Sequence, residues 1–211
     1  RNKYAGFFEI QPKPHENLDI RIAGRFEEYE NDSSFDPKIS FKYIATDKII
    51  IRASKSSSFS MPSMAQMFSS DINLGSVRDF NGASPFVRQA QIGNPNLKPA
   101  TSNNFNIGVI LRNKDQKISI DYWNIDYKNR IEVQSAQVLL NNDPYGPSIT
   151  RNSNGDLIGV TTTYFNEENT EVTGVDFKYD AALFSSIEYG EISLSINATT
   201  LIDFLTPALG N

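Results

Sequence analysis

The sequence predicts an all-β fold, an antiparallel transmembrane β-barrel wall of about eight strands with short turns at one end and long loops at the other. Apolar and polar residues alternate with a period of two in many segments, and several segments approach the 9 to 11 or so residues that a membrane-crossing strand needs. The connections alternate between short and long. No apolar run reaches the roughly 18 residues of a membrane-spanning helix, so strands are the predicted membrane-crossing elements.

The first four predicted strands occupy the N-terminal part of the chain. Tyr4 to Gln11 is the first, and Leu18 to Glu28 is the second. A hairpin then pairs Lys38 to Ala45 with a strand that starts at Ile49, across the tight turn Thr46-Asp47. In the second, third and fourth of these strands, one face is apolar and the other is mostly charged or polar, as expected for strands that separate two different environments.

Two further hairpins complete the predicted wall. They pair Phe105 to Leu111 with Ile118 to Tyr122 across Asn113 to Gln116, and Val175 to Ala181 with Ile192 to Ala198 across Phe184 to Tyr189. We interpret Gly155 to Asn166 as the outer part of the strand that continues into Val175.

The long connections lie near residues 56–102 and 129–155, and they all fall at one end of the predicted strands. The turn Pro12 to Asn17 is short, and Asn31 to Pro37 is of medium length. Loops of more than about 15 residues are uncommon in compact domains and usually have a function. The charges on the inner face, such as Arg21 and Lys42, fit a water-filled lumen better than a dry core.

Composition excludes several classes of protein. The 211 residues contain no cysteine, so disulfides, thiolate nucleophiles and cysteine metal sites are excluded. The net charge of −5 and the mixture of charge signs along the chain argue against a nucleic-acid partner.

The segment GNPNLKPATSNNFNIGV, which starts at Gly93, resembles the loop-to-strand segment of TonB-dependent outer-membrane receptors. In that family a turn of the type Gly-Asn-Pro-x-Leu-x-Pro precedes a barrel strand, and here the matching residues are Gly93, Asn94, Pro95, Leu97 and Pro99. Both prolines fix φ and push the preceding residue out of the α region, so the chain is held extended until the strand begins.

Other segments of the chain resemble the same family in the same order. Upstream are the triplet Arg25-Phe26-Glu27, the strand with Arg52-Ala53-Ser54 and the stretch Phe59 to Ser63; downstream are IDYWNIDYKNRIE and VTGVDFKYD. The pattern departs from the family at Ala100, where a glutamate is usual, and at Ser60 and Met61, where arginine and alanine are usual. These departures weaken the transfer of single residues more than that of the fold.

The resemblance implies that residues 1–211 are an internal segment of a receptor barrel, without the plug domain, the TonB box or the closing C-terminal strands. It further implies a place in the bacterial outer membrane, contact with outer-membrane lipid, and active uptake of a scarce nutrient such as a siderophore, a vitamin or an oligosaccharide. The inner-membrane TonB complex would act through the plug.

The loop between Ser56 and Ser102 is the predicted place for ligand contact. Arg78, Phe80, Phe86 and Arg88 combine apolar rings with guanidinium groups that can bind a carboxylate, a phosphate or a sugar. The alternative is that the loop packs on itself, because Met61, Met64, Met67 and Phe68 have helical spacing and predict a short helix.

No catalytic, cofactor or metal site is predicted. His15 lies in a predicted turn without partners for a triad, and the neighbouring carboxylates Glu27-Glu28 point to opposite faces of a strand. Glu167, Glu168, Asn169 and Glu171 could approach calcium but lack a glycine-containing calcium loop pattern.

Two alternatives to the receptor segment remain at this stage. A self-contained small β-barrel or β-sandwich could bind a ligand, because eight strands can close a small barrel, which would require the first and last strands to pair. An enzyme would depend on carboxylates such as Glu27 or Asp121.

Overall fold

The computed structural model describes residues 3–29, 33–186 and 190–207, and for residues 185 and 186 the backbone only. The described residues divide into two compact units. The wall unit comprises Arg1–Phe59, Thr101–Tyr127 and Thr170–Leu205, and the loop unit comprises Ser60–Ala100, Lys128–Asn169 and Thr206–Asn211, each to the extent that its residues are described.

The elements in chain order are β1 Lys3–Ile10, β2 Leu18–Tyr29, β3 Ser33–Thr46, β4 Ile49–Ser60, α1 Met64–Phe68, β5 Ser70–Ser76, β6 Phe86–Ile92, β7 Ala100–Arg112, β8 Gln116–Lys128, β9 Arg130–Val133, α2 Ala136–Asn142, β10 Ile149–Arg151, β11 Leu157–Glu167, β12 Thr170–Ser186 and β13 Gly190–Leu205. Neither helix in the described part of the chain is long and apolar enough to cross a membrane.

The wall unit is one eight-stranded sheet in the order β1-β2-β3-β4-β7-β8-β12-β13. These are the eight strands that the alternation predicts. The pairs β1–β2, β2–β3, β3–β4, β8–β12 and β12–β13 of this sheet are antiparallel. The predicted all-β fold is therefore confirmed.

The register places the apolar residues of neighbouring strands side by side. Phe41 lies opposite Ile20 on β2 and Ala53 on β4, and Phe177 lies opposite Ile120 on β8 and Ala198 on β13. Directly opposite residues of an antiparallel pair point to the same face of the sheet, so these side chains form one apolar face.

That apolar face is exposed rather than buried. Ile39, Ile107 and Ile196 are 52%, 43% and 46% exposed. A sheet that faced water on this side would carry an unusually large apolar surface.

Some wall strands are longer than predicted. β3 begins at Ser33, so most of the medium connection Asn31 to Pro37 is strand, because Asp36 and Phe35 continue the pairing with β2. β12 extends to Ser186, and residues 187–189 of the predicted turn Phe184 to Tyr189 lie outside the described residues.

The sheet does not close on itself among the described residues. β1 and β13 lie at its two ends, and each is paired with one strand only. The alternative of a self-contained eight-strand barrel, which needs these two strands to pair with each other, is therefore not what this sheet forms.

Most of the residues of the two long connections belong to the loop unit, and they form regular secondary structure. This unit holds both helices and a second sheet in the order β10-β11-β6-β5, with β9 also paired to β11. The pair β6 and β11 is parallel, a pairing that requires a long connection and that alternation alone does not reveal.

The prediction that Gly155 to Asn166 continues into Val175 is wrong. β11 ends at Glu167, belongs to the sheet of the loop unit, and is separated from β12 by Glu168 and Asn169. The physical reason is that β11 pairs with β6, β9 and β10 rather than with wall strands.

Candidate functional site

The family-like turn motif lies in the loop unit and fixes the end of α1. Gly93 N donates a hydrogen bond to Ser69 O (2.7 Å) and Asn94 N donates one to Gln66 O (2.9 Å). A Cβ at Gly93 would lie 2.6 Å from the carbonyl carbon of Met67, a distance that real Cβ contacts do not reach. Glycine is therefore required here for the close approach of two backbones.

The side chain of Asn94 holds the rest of the motif. Its Nδ2 donates to Tyr164 O on β11 (2.9 Å), and its Oδ1 accepts a hydrogen bond from Asn96 N (2.9 Å). Leu97 is buried, whereas Pro95 is exposed. The motif thus ties α1 to β11 through one asparagine.

The side-chain amide of Asn166 makes a second set of hydrogen bonds to the motif, at Lys98, which directly precedes Pro99. Asn166 Oδ1 accepts from Lys98 N (2.7 Å), and Asn166 Nδ2 donates to Lys98 O (2.8 Å) and to Asn129 O (2.9 Å). Three segments distant in sequence are joined at this side chain. The structure gives the motif a positioning role within the loop unit.

The core of the loop unit is a small apolar cluster. It consists of Val77, Val87, Leu140, Leu157 and Val160, against which part of α2 packs. The capping box of α1 and the Ser135 cap of α2 explain where the helices start. A short helix, α1, forms at three of the four predicted positions, Met64, Met67 and Phe68, whereas Met61 precedes the N-cap Ser63. Met67 is buried, while Met64 and Phe68 are exposed.

Beside this core lies a buried ion pair between Arg151 at the end of β10 and Asp79. Two parallel hydrogen bonds of 2.8 Å join Arg151 Nη1 and Nη2 to the two carboxylate oxygens of Asp79. The exposed fractions of the two side chains are 9% and 2%. The pKa of Asp79 is lowered, mainly by the hydrogen bonds from the Arg151 guanidinium.

Two exposed aromatic rings lie against the same guanidinium. Its Cζ is 5.1 Å from the ring centroid of Phe80 and 4.9 Å from that of Tyr145. The two centroids are 5.8 Å apart. Arg151 therefore connects a buried acid to a pair of rings at the surface.

Of the four residues predicted to face a ligand, the structure brings only Phe80 into this cluster. Phe86 and Arg88 are exposed on β6 and, two positions apart, share a face of that strand. Arg78 is exposed, and its backbone N–H and C=O are both bonded to the side-chain amide of Gln137 (2.8 Å each). The ligand role of all four residues stays a prediction.

Sequence reasoning did not identify Asp79, Tyr145 or Arg151. Asp79 and Arg151 are separated by 72 positions, and neither belongs to a motif. The only local signal is Asn-Asp-Pro-Tyr-Gly around Tyr145, which is typical of a turn and does not indicate a partner.

Two of the candidate carboxylates, Glu27 and Glu167, and the histidine have structural partners. Glu27 is in an ion pair with Lys3 (2.8 Å), and Glu167 is bonded to Arg130 (2.5 Å). His15 Nδ1 accepts a hydrogen bond from Asn17 N (3.2 Å) within the turn between β1 and β2. In the described ranges, no group of three or more acidic, histidine or cysteine residues could hold a metal ion.

The polar face of the wall unit carries its own ion pair. Arg52 on β4 binds Asp121 on β8 through two hydrogen bonds of 2.8 and 2.6 Å, across the intervening strand β7. This is possible because β7 has Gly108 at the crossing point, where a Cβ would collide with the Asp121 carboxylate. Arg52 and Asp121 line a concavity of about 700 Å³ together with Arg21, Lys38 and Lys42.

Comparisons with known proteins show which family has this fold. The family model described as TonB dependent receptor-like, beta-barrel matches residues 1–210. None of the curated proteins compared with the chain matches it.

Solved receptor structures resemble the chain closely in fold and weakly in sequence. The siderophore receptor PirA from Acinetobacter baumannii has a TM-score of 0.67 at 18% identity over 95% of this chain and 27% of its own. A ferric enterobactin receptor (PfeA) mutant from Pseudomonas aeruginosa has a TM-score of 0.69 at 16% identity over 95% and 26%. The ferripyoverdine receptor of the outer membrane of Pseudomonas aeruginosa has a TM-score of 0.53 at 16% identity over 98% and 24%. The chain spans about a quarter of the length of these receptors.

Proposed function

Because the chain belongs to the TonB-dependent receptor-like β-barrel family, whose model matches residues 1–210, we propose that it is part of an outer-membrane active transporter that takes up a scarce nutrient. In this proposal the wall unit contributes eight strands of the barrel, and the loop unit contributes to ligand capture at the cell surface. The chain has no enzymatic role in this proposal.

The exposed apolar face of the wall unit carries the proposal. Apolar side chains such as Ile107 on β7 and Leu194 on β13 are exposed on one face, while charged residues such as Arg52 and Asp121 occupy the other face. A barrel wall in a bilayer needs this arrangement, with lipid on one side and a polar interior on the other. Outer-membrane lipid is therefore the first partner of the chain in this proposal.

The substrate class is proposed by analogy with the structural neighbours. Two of them are receptors for ferric enterobactin and ferripyoverdine, according to their names. We extend this to the present chain as a siderophore, and keep a vitamin or an oligosaccharide as alternative nutrients. Energy would come from the inner-membrane TonB complex, acting through the plug domain of the whole receptor.

Cell fractionation and uptake in the native bacterium test this function. Antibodies against the chain should detect the whole protein in the outer-membrane fraction. Cells should accumulate radioactive iron from at least one of ferric enterobactin and ferripyoverdine, and an uncoupler of the proton gradient or deletion of the gene should abolish that uptake. Iron supplied as a complex that enters by another receptor serves as the control for the deletion strain.

The possible outcomes separate the two parts of the proposal. A protein found in a soluble fraction would refute membrane transport altogether. An outer-membrane protein whose deletion leaves the uptake of both complexes unchanged would remove these two siderophores and direct the search to vitamins and oligosaccharides.

A further inference from the structure

We propose that Phe80 and Tyr145 form a binding platform for a planar, neutral or anionic aromatic ring of a small-molecule ligand. The inference rests on the proposed function in one respect, that the ligand is the captured nutrient.

The two rings are exposed although they are large and apolar. Phe80 is 62% exposed and Tyr145 is 73% exposed. Their planes are inclined by 49° at a centroid distance of 5.8 Å, which lies within the range of interacting aromatic pairs. Together they present an angled aromatic surface to the solvent.

The buried guanidinium of Arg151 lies against both rings of the platform. The guanidinium of Arg151 lies over both rings at 5.1 and 4.9 Å from the centroids, and its side chain is only 9% exposed. Asp79 fixes the guanidinium through two hydrogen bonds of 2.8 Å. The rings thus lie against a guanidinium whose position is held by its hydrogen bonds to Asp79.

The backbone of both aromatic residues is fixed as well. Phe80 N donates to Asp79 Oδ1 (2.9 Å), and Tyr145 N donates to Asp143 Oδ1 (3.2 Å). Arg151 Nε donates to the carbonyl of Pro144, which directly precedes Tyr145 (3.1 Å). A surface fixed in this way loses little conformational entropy when a ligand binds.

The chemistry of the support selects the ligand class. The Arg151 guanidinium donates hydrogen bonds to Asp79, to Pro144 O and to Gly155 O. Because its donors are used within the protein, it does not act as a bidentate binding group for an anionic ligand. Its positive charge against the rings opposes the binding of a second cation on them. What remains available is stacking, which favours a neutral or anionic aromatic ring.

Ligand-observed NMR with the whole detergent-solubilised protein tests the platform with two matched probes. Benzoate and cyclohexanecarboxylate have the same charge and similar size, but only benzoate can stack. Saturation transfer, corrected for protein-free micelles, should detect benzoate and give a much weaker signal for cyclohexanecarboxylate.

Single substitutions locate the binding. Phe80→Leu and Tyr145→Leu should each weaken benzoate binding about two- to tenfold, the range expected for loss of one aromatic pair. Phe80→Tyr retains a ring and should keep binding near the original level. Phe68→Leu is the matched control, because Phe68 is an aromatic residue of the same unit, is 62% exposed like Phe80, and lies outside the ring pair.

Three results would overturn the inference. These are equal signals from the two probes, equal weakening by Phe68→Leu and Phe80→Leu, and unchanged benzoate binding in leucine variants whose loop unit becomes more sensitive to protease. The last result would mean that the rings pack against another part of the whole receptor. Failure of this test leaves localisation and uptake unaffected, so it is distinguishable from failure of the proposed function.

Discussion

The two units of the molecule place their apolar side chains in opposite ways. Among the described residues, the buried apolar side chains of the wall unit are Ile50, Ala53 and Ala181, and rows of isoleucine, leucine and phenylalanine lie at its surface. The loop unit is the smaller of the two, yet its three most completely buried large side chains, Leu140, Val87 and Val160, lie together in one cluster.

This difference indicates that the two units are built for different solvents. A protein domain in water is stabilised by removing apolar area from water, which the loop unit achieves with its cluster and its capped helices. A barrel wall in lipid needs no such core, because its outward apolar side chains contact the acyl chains. Each of the following substitutions tests whether a residue contributes to stability in the way that the environment of its unit requires.

Arg151→Leu should have the largest effect and should be confined to the loop unit. It leaves Asp79 buried without its partner, and breaking a buried ion pair in this way costs about 3 to 5 kcal/mol. Hydrogen exchange of the whole protein should show this loss in the amides of the loop unit, with the wall strands unchanged.

The matched control for that substitution is Arg88→Leu. Arg88 is exposed on β6, so its replacement should change the local stability by no more than about 0.5 kcal/mol. Equal effects of the two substitutions would mean that the loop unit is not organised around the Asp79 pair.

Leu194→Arg tests the wall unit from its outer face. A charge at the bilayer midplane costs a barrel about 2 to 4 kcal/mol, and Leu194 lies on the apolar face opposite Ala181. Denaturant titrations of the whole protein in liposomes measure the free energy of unfolding. Ser195→Arg, one position along on the polar face opposite Asp180, should cost little.

A reversed order of these two costs would mean that β13 is paired one residue out of register, because such a shift exchanges the two faces of a strand. The apolar side chains of β13 would then face the lumen, contrary to the comparison between the units.

Gly108→Ala tests the polar face of the wall. The added Cβ would collide with the Asp121 carboxylate where it reaches across β7 toward Arg52. We expect a loss of roughly 1 to 3 kcal/mol, the usual cost of overpacking. Gly6→Ala on β1 is the control, since a Cβ there meets no atom within 4 Å, and denaturant titrations should show little change for it.

The Gly108 contact also shows where prediction from the sequence reaches its limit. The period-two alternation predicts the eight wall strands and their faces, because the side-chain direction of a strand is set by position alone. The Arg52–Asp121 pair connects strands that are not neighbours in the sheet, and no local pattern records such a contact.

In the loop unit the sequence predicts the turn motif and the helix α1, both of which depend on local chemistry such as proline, glycine and helical spacing. It does not predict the second sheet, because β11 pairs in parallel with β6 across a separation of about seventy residues. For the same reason the cluster of Arg151, Asp79, Phe80 and Tyr145 is visible only in the structure.

Acidification should lower the stability of the loop unit by protonating Asp79, and this loss should be smaller than the loss caused by Arg151→Leu. Hydrogen bonds from Arg151 hold the pKa of Asp79 below its ordinary value, and the Phe80 N–H acts in the same direction while burial opposes both. The carboxyl therefore has a lower pKa in the folded than in the unfolded state. Its contribution to stability is complete above the unfolded pKa of about 4 and is lost as the pH falls through the folded pKa.

Proteolysis of the loop unit between pH 7 and pH 3, with an acid-tolerant protease, measures this effect in the whole protein. Protection should decline below about pH 4, the unfolded pKa of an aspartate. Asp79→Asn should already be less protected at pH 7 and should show a smaller decline, whereas Asp156→Asn, at an exposed turn position, should behave as the unsubstituted protein does. An identical decline in the Asp79→Asn protein would show that other carboxyl groups control the acid sensitivity of the loop unit.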